Sequence, residues 1–303
     1  MLDKVHHIIH EASGILLDKK SEIEKSVICI MAQGHLLIED VPGVGKTTLV
    51  QLLARLMGLH TSRVQFTNDL LPADVLGNMV YDSDKKDFRF HKGPVFAQLV
   101  LADELNRANP RTQSALLQAM EEGEVTLDGE LHPLPEPFCL IATQNPRSQI
   151  GTSPLPESQL DRFLMSLELS HANPEAEKKI IQGMDAREKL KTVQAVLTAH
   201  EVMAIQKAAT SVHLSEKVAE YISAILQKSR QKGHLMPLSI RTGMALAKAG
   251  RACAFLENRD HVLPDDIQKI AIEVLSHRMG GLEGVAKGRV HAQELLREVA
   301  VLS

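Results

Sequence analysis

The 303 residues include no tryptophan, and aromatic residues of all kinds make up 3%. Proteins that hold single-stranded nucleic acid stack bases on aromatic rings, so this composition argues against that class. A basic excess is also missing. Lys and Arg number 34 against 38 Asp and Glu, a net charge of -4, which gives no electrostatic footprint for nucleic acid. Cysteine is scarce: Cys29, Cys139 and Cys253 are odd in number, far apart and set among apolar neighbours, as expected of small core residues in a reducing compartment. No stretch approaches the ~18 uninterrupted apolar residues of a membrane span. The start, Met1 to His7, lacks a basic segment followed by an apolar core, so no secretory signal is read there and a cytoplasmic location is expected. Hydrophobic content of 44% and charged content of 24% are ordinary for a globular protein, with length for about two domains.

What is present is concentrated at residues 36 to 58. Leu36-Leu37-Ile38 reads as a buried parallel strand, Pro42, Gly43 and Gly45 force an irregular turn, and Leu49, Leu52, Leu53 and Leu56 mark one face of a helix closed by Gly58. This is the frame of a phosphate-binding loop. A triphosphate needs many donors at short range, so the loop Pro42, Gly43, Val44, Gly45, Lys46, Thr47 and Thr48 is expected to cradle ATP, with the backbone N–H groups from Gly43 to Thr48 as donors and the helix dipole behind them. Lys46 would reach the β and γ phosphates, and the Thr47 hydroxyl would hold Mg²⁺. The strict pattern has glycine where this chain has Asp40. Asp tolerates left-handed backbone better than most residues, and the cradling amides lie later, so the departure is one of spelling rather than chemistry.

Upstream, residues 3 to 33 read as two helices split near Ser13-Gly14. His6 and His10 have metal-ligand spacing on paper but lack a third ligand, which favours a solvated helix face. Downstream, Val64 to Thr67 suits a strand and Asp69 to Gly77 a short helix. Met79-Val80-Tyr81 and Phe88-Arg89-Phe90 flank a charged tip as a hairpin, and Asp128-Gly129 turns a second one between Glu124 and His132. Leu99 to Ala102 form a buried strand ending in Asp103 and Glu104, where its carboxyl end would open onto the phosphates. Asp103 would bind Mg²⁺ and Glu104 would orient or deprotonate the attacking water. Arg107 and Arg111 have two readings, solvated helix-start residues or contacts to a neighbouring subunit.

A further buried strand, Phe138 to Thr143, ends at Gln144-Asn145-Pro146. Pro146 keeps Asn145 extended, so Asn145 either holds the hydrolytic water or marks an ordinary Asn-Pro turn. Arg162, distant in sequence from the phosphate loop, would meet nucleotide across a subunit boundary, or else Asp161 and Arg162 form surface ion pairs. Residues 171 to 191 are charged, with Asn173-Pro174-Glu175 opening a helix, and the pattern is helical from 198 onward. Ser239 can cap a helix whose first turn carries Arg241, a candidate for contacting nucleotide between the domains. The boundaries read as N-terminal helices at 1–33 packed on a core at 34–170, a linker at 171–191 and a helical domain at 192–303.

The set Glu39 to Thr47, Ala102-Asp103-Glu104-Leu105-Asn106-Arg107-Ala108, Ala142 to Pro146 and Leu160-Asp161-Arg162-Phe163 resembles the MoxR family of AAA+ ATPases over most of residues 34 to 165. The resemblance implies an α/β fold, a parallel-sheet P-loop core with a C-terminal all-helical lid. It implies Walker A roles for Lys46 and Thr47, Walker B roles for Asp103 and Glu104, sensor 1 for Asn145, a trans-acting arginine finger in Arg162 and sensor 2 in Arg241. The surroundings of Arg241, Pro237-Leu238-Ser239-Ile240, depart from the family's usual Ser-Pro-Arg. The segments at 68–78 and 124–132 look like the helix-2 insert and the pre-sensor-1 hairpin, which in related machines touch substrate.

The expectation is a hexameric homo-oligomer that couples ATP hydrolysis to remodelling of a protein client, with a von Willebrand factor A domain protein as a candidate partner. Rivals are a metal-chelatase-type ATPase subunit, an ATP-gated binding switch and a DNA-acting motor. The pairing of Glu104 with Arg162 argues against the switch, and net charge with absent Trp argues against the motor.

Overall fold

The computed structural model describes residues 1–39, 43–145, 153–231, 237–281 and 284–299. Its centre is a five-stranded parallel sheet in the order β2–β5–β8–β1–β9, formed by Thr61–Gln65, Leu99–Asp103, Cys139–Gln144, Leu36–Glu39 and Met165–Glu168 respectively. The near-continuous apolar runs have the reason expected of parallel strands, burial on both faces. Successive side chains alternate between two cores. Leu36, Ile38, Leu99, Leu101, Cys139 and Ile141 enter one; Leu37, Val100, Ala102, Leu140 and Ala142 enter the other.

The first core continues through the N-terminal helices α1 (Leu2–Ile15) and α2 (Lys20–Met31) and the phosphate-loop helix α3 (Lys46–Leu56), and on into the C-terminal helices. The second lies under α4 (Pro72–Leu76) and α5 (Pro110–Glu122). Two antiparallel hairpins stand apart from the sheet, β3 (Gly77–Asp82) with β4 (Asp87–Lys92) and β6 (Glu124–Leu127) with β7 (Glu130–Pro133), and they meet through Phe90 stacked on His132 at 4.0 Å. Both match the expected turns. The short α6 (Glu157–Leu160) precedes β9, and α7 (Pro174–Ile181) and α8 (Ala186–Thr192) occupy the stretch read as a linker. Asn173 caps α7 by accepting from the Ala176 N–H. The C-terminal helices, expected to form the lid, are α9 (Ala199–Thr210), α10 (Glu216–Gln231), α11 (Ile240–Leu256), α12 (Pro264–Met279) and α13 (Val285–Glu298).

Three local expectations differ, the first being β2, which spans Thr61–Gln65 rather than Val64 to Thr67. The break between α1 and α2 falls at residues 16–19, not at Ser13-Gly14, because the Ser13 hydroxyl bonds the Ile9 carbonyl within the helix and the turn comes at Asp18, φ 59. His6 is not merely solvated: its Nε2 lies 2.9 Å from the Leu256 carbonyl, tying α1 to α11. Among the described residues no helix is long and apolar enough to cross a membrane.

The lid is joined to β9 by a buried imidazole. His277 on α12 is 1% exposed, with Nε2 3.1 Å from the Phe163 carbonyl and Nδ1 3.0 Å from the Ser166 hydroxyl. The carbonyl only accepts, so Nε2 carries the proton and Nδ1 accepts from Ser166. Burial, helped by the Arg278 charge, holds the imidazole well below its ordinary value of 6.5. The unfolded chain therefore binds the extra proton first. Stability from this group is complete above pH 6.5 and is lost as pH falls below it. Denaturant unfolding is expected to show a loss of about 1.4 kcal/mol from this group between pH 7.5 and 5.5. That increment should be absent in His277→Gln; an unchanged increment would assign it elsewhere.

Candidate active site

The carboxyl ends of β1, β5 and β8 open on a cavity of about 760 Å³, within the range of small-ligand sites. Gly43 at φ 94 and Gly45 at φ 95 lie in the left-handed region that side chains disfavour, and a Cβ on Gly45 would come within 3.0 Å of Leu16. Gly43, Val44, Gly45, Lys46, Thr47 and Thr48 all line the cavity, together with Asp103, Glu104 and Asn145. Pro42, expected to contribute, lies outside the described residues with Asp40 and Val41.

Thr143 on β8 organises the acids. Its hydroxyl donates to Asp103 Oδ1 at 2.7 Å and accepts from the Glu104 N–H at 2.8 Å. Glu104 itself sits at φ 57, ψ 44, a conformation costing a non-glycine residue about 1–2 kcal/mol. Its carboxylate accepts from Gln65 Nε2 at 2.9 Å and pairs with Arg107 Nε at 2.9 Å. Arg107 is thus a partner of Glu104 within the chain. Arg63 reaches Asp103 Oδ2 from Nη2 at 2.7 Å and from Nε at 3.2 Å.

Asn145 is held by its backbone, not its side chain. Asn106 Nδ2 donates to the Asn145 carbonyl at 3.0 Å, and the Asn145 N–H donates to Asn106 Oδ1 at 3.2 Å. Asn145 is 3% exposed, and its Nδ2 has no hydrogen-bond partner among the described residues. An unsatisfied buried donor costs about 1–3 kcal/mol, so one left in the cavity wall beside a phosphate loop fits a ligand oxygen. The Asp103 and Thr47 oxygens on the same cavity are the hard donors that Mg²⁺ takes. The other end of the cavity offers apolar side chains, Ile15, Leu16 and Leu17 at the end of α1 and the turn after it and Ile180 and Met184 around the end of α7, interspersed with Lys19, His171, Glu177, Asp185 and Arg187. This suits the base of a nucleotide.

Arg162 and Arg241 do not join this cavity. They line a second one of about 530 Å³ with His35, Glu121, Asp161 and Arg278. His35 precedes β1 and Leu164 precedes β9, so the second cavity lies at the amino edge of the sheet, about 15 Å of strand from the first. Arg241 is therefore not placed to contact nucleotide in its own chain; the first turn of α11 is tied to this edge by Arg241 Nη2 to Glu121 Oε1 at 3.0 Å. Arg162 Nε is 3.1 Å from Glu121 Oε2. Asp161 and Arg162 each form an ion pair, as the alternative has it, with partners other than each other. Asp161 pairs at 2.7 Å with Arg278, which is 5% exposed and also donates to the carbonyls of Phe163 at 2.7 Å and Leu164 at 3.2 Å.

Sequence reasoning missed Thr143, Asn106, Arg63, Gln65, Glu121 and Arg278. The first was within reach, since a Thr one strand over from Asp103 in a parallel pair is a natural bridge. Removing that hydroxyl in Thr143→Val should lower single-turnover ATP hydrolysis by about tenfold or more while nucleotide binding persists. Wild-type turnover in the variant would discount the bridge.

Comparison with known proteins places the same segments in a common frame. A model of the ATPase family associated with various cellular activities (AAA) matches residues 35–165, and an AAA lid domain model matches 234–299. The chain is 41% identical over 293 residues to the uncharacterized protein YeaC of Bacillus subtilis, covering 96% of this chain and 91% of that one. It is 34% identical over 281 residues to Chaperone MoxR1 of Mycobacterium tuberculosis, covering 89% and 74%. A solved structure of a candidate ATPase from Cytophaga hutchinsonii superposes with a TM-score of 0.89 at 36% identity, covering 100% of this chain and 96% of that one.

Proposed function

The chain belongs to the MoxR family of AAA+ ATPases, and on that premise we propose that it hydrolyses Mg²⁺-ATP as a homo-oligomeric ring, a hexamer by likeness to its family, whose nucleotide sites are each completed by the adjoining copy. The observation that carries the proposal is the placement of Arg162 and Arg241 together at the sheet edge opposite the phosphate loop. Neither guanidinium serves its own cavity, and both stand on a face that a second copy would meet.

Each residue then has one task. The amides from Gly43 to Thr48 and the Lys46 ammonium hold the phosphates. Thr47 and Asp103 would hold Mg²⁺, which supplies charge neutralisation on the phosphate oxygens when bound. Glu104, steered by Gln65 and Arg107, aligns the attacking water and takes its proton, and the unpartnered Asn145 Nδ2 donates to water or to the γ phosphate. The neighbour's Arg162 balances the charge that spreads over the γ oxygens as the bond breaks.

The hairpins β3–β4 and β6–β7 expose Val80, Tyr81, Phe88 and Leu131, a surface suited to a protein client. The chaperone name of the mycobacterial relative supports that use, and a von Willebrand factor A domain protein is the proposed class of partner, with the cytoplasm as the setting.

Turnover measured against protein concentration, with light scattering for assembly, tests the shared site. Specific activity should rise with assembly, and Arg162→Ala should assemble while losing about 10³-fold or more in turnover. Glu104→Gln should bind ATP with turnover abolished. Activity per chain that is flat with concentration and indifferent to Arg162 would reduce the protein to a self-contained ATPase.

A further inference from the structure

We infer that Glu121 is a positioning residue for the active site of the adjoining copy, its single carboxylate holding Arg162 and Arg241 as a preset pair; the inference rests on the shared-site reading above. Glu121 stands in the last turn of α5. One oxygen forms an ion pair with Arg162, 3.1 Å from its Nε, and the other accepts a hydrogen bond from Arg241 Nη2 at 3.0 Å. The Arg162–Glu121 approach is an ion pair without hydrogen-bond geometry, and among the described residues neither terminal nitrogen of Arg162 makes a hydrogen bond, so the fork that suits a phosphate remains open.

Charge makes the carboxylate necessary. Arg162, Arg241, Lys248 and Arg278 share one cavity with only Glu121 and Asp161 as acids, and Arg278 occupies Asp161. Without Glu121, the partly buried Arg162 and the half-exposed Arg241 would repel each other, and the Arg241 end would disperse into solvent. The backbone on either side is already fixed, by Arg278 on the carbonyls of Asp161, Phe163 and Leu164 and by the Ser239 cap on the Thr242 N–H. Glu121 supplies the remaining constraint, on the side-chain ends.

The test uses the full chain in its assembled form, with kcat and KM for ATP read alongside light scattering. Glu121→Ala should assemble normally, keep KM within about twofold, and lose about tenfold to a hundredfold in kcat. Glu121→Gln, which keeps one acceptor oxygen, should recover part of that loss. Mixing separates a trans role from damage in cis. Glu121→Ala chains have an intact nucleotide site, and Glu104→Gln chains have intact arginines, so turnover per Glu121→Ala chain in a mixed assembly should rise toward that of wild type mixed with Glu104→Gln. No rise on mixing, loss of assembly, or unchanged kcat in Glu121→Ala where Arg162→Ala is inactive would each overturn the inference. Unchanged turnover in Arg162→Ala itself would instead bring down the shared-site reading, and the Glu121 role with it.

Discussion

The parallel pairing of β1, β8 and β5 is the constraint on which the rest depends. All six residues of β8 and all five of β5 are buried, and their side chains alternate into two separate cores. Each fully buried Leu, Ile or Val contributes about 1.5–3 kcal/mol, so the strands tolerate polar groups almost only at their ends. The exceptions at the carboxyl edge, Thr143 and Asp103, are bonded to each other. Polar chemistry is thereby expelled to the two edges of one rigid sheet, and parallel direction gives each edge its own character. The carboxyl edge gathers a phosphate loop, two acids and an amide; the amino edge gathers guanidiniums.

The lid is part of this arrangement and not an appendage. One continuous core runs from the sheet through α1, α2 and α3 to α11 and α12. Its polar fastenings fall beside Arg162: His277 bonds the Phe163 carbonyl and Ser166, and Arg278 bonds Asp161 and the carbonyls of Phe163 and Leu164. At the other edge, the Val285 N–H at the start of α13 lies 3.4 Å from Glu39, which also accepts from Gln144 beside Asn145. A movement of the lid would therefore bear on both edges of the sheet.

The elements were largely legible because their signals are local. Alternating runs around Asp128-Gly129, the apolar strands with terminal acids, and the Asn and Ser caps of α7 and α11 each follow from a few adjacent residues. The α1–α2 break was not, since Ser13-Gly14 looks like a turn until the Ser13 hydroxyl is satisfied inside the helix. Within the site, residues named by the phosphate-loop and strand-end patterns fell into one cavity. Those that position them did not announce themselves, because Asn106, Gln65 and Arg278 act through neighbours 39 to 117 residues away in sequence. Spacing along the chain carries no trace of such contacts. Arg241 shows the converse hazard: a capped first turn was legible, while the edge it faces depended on packing against Glu121.

Separation of the two edges also bears on why hydrolysis would depend on assembly. Closing a gap of about 15 Å within one chain would require Arg162 to leave the segment that Arg278 fixes through the carbonyls of Asp161, Phe163 and Leu164. A second copy presenting its amino edge to this carboxyl edge would meet the same need with no change in either core. Arg63, Gln65 and Arg107 neutralise and hold the acids within the protomer, so the charge still lacking around a triphosphate is the charge the neighbour would bring. An active site divided in this way would be silent in the free chain, and its turnover would report contact between copies.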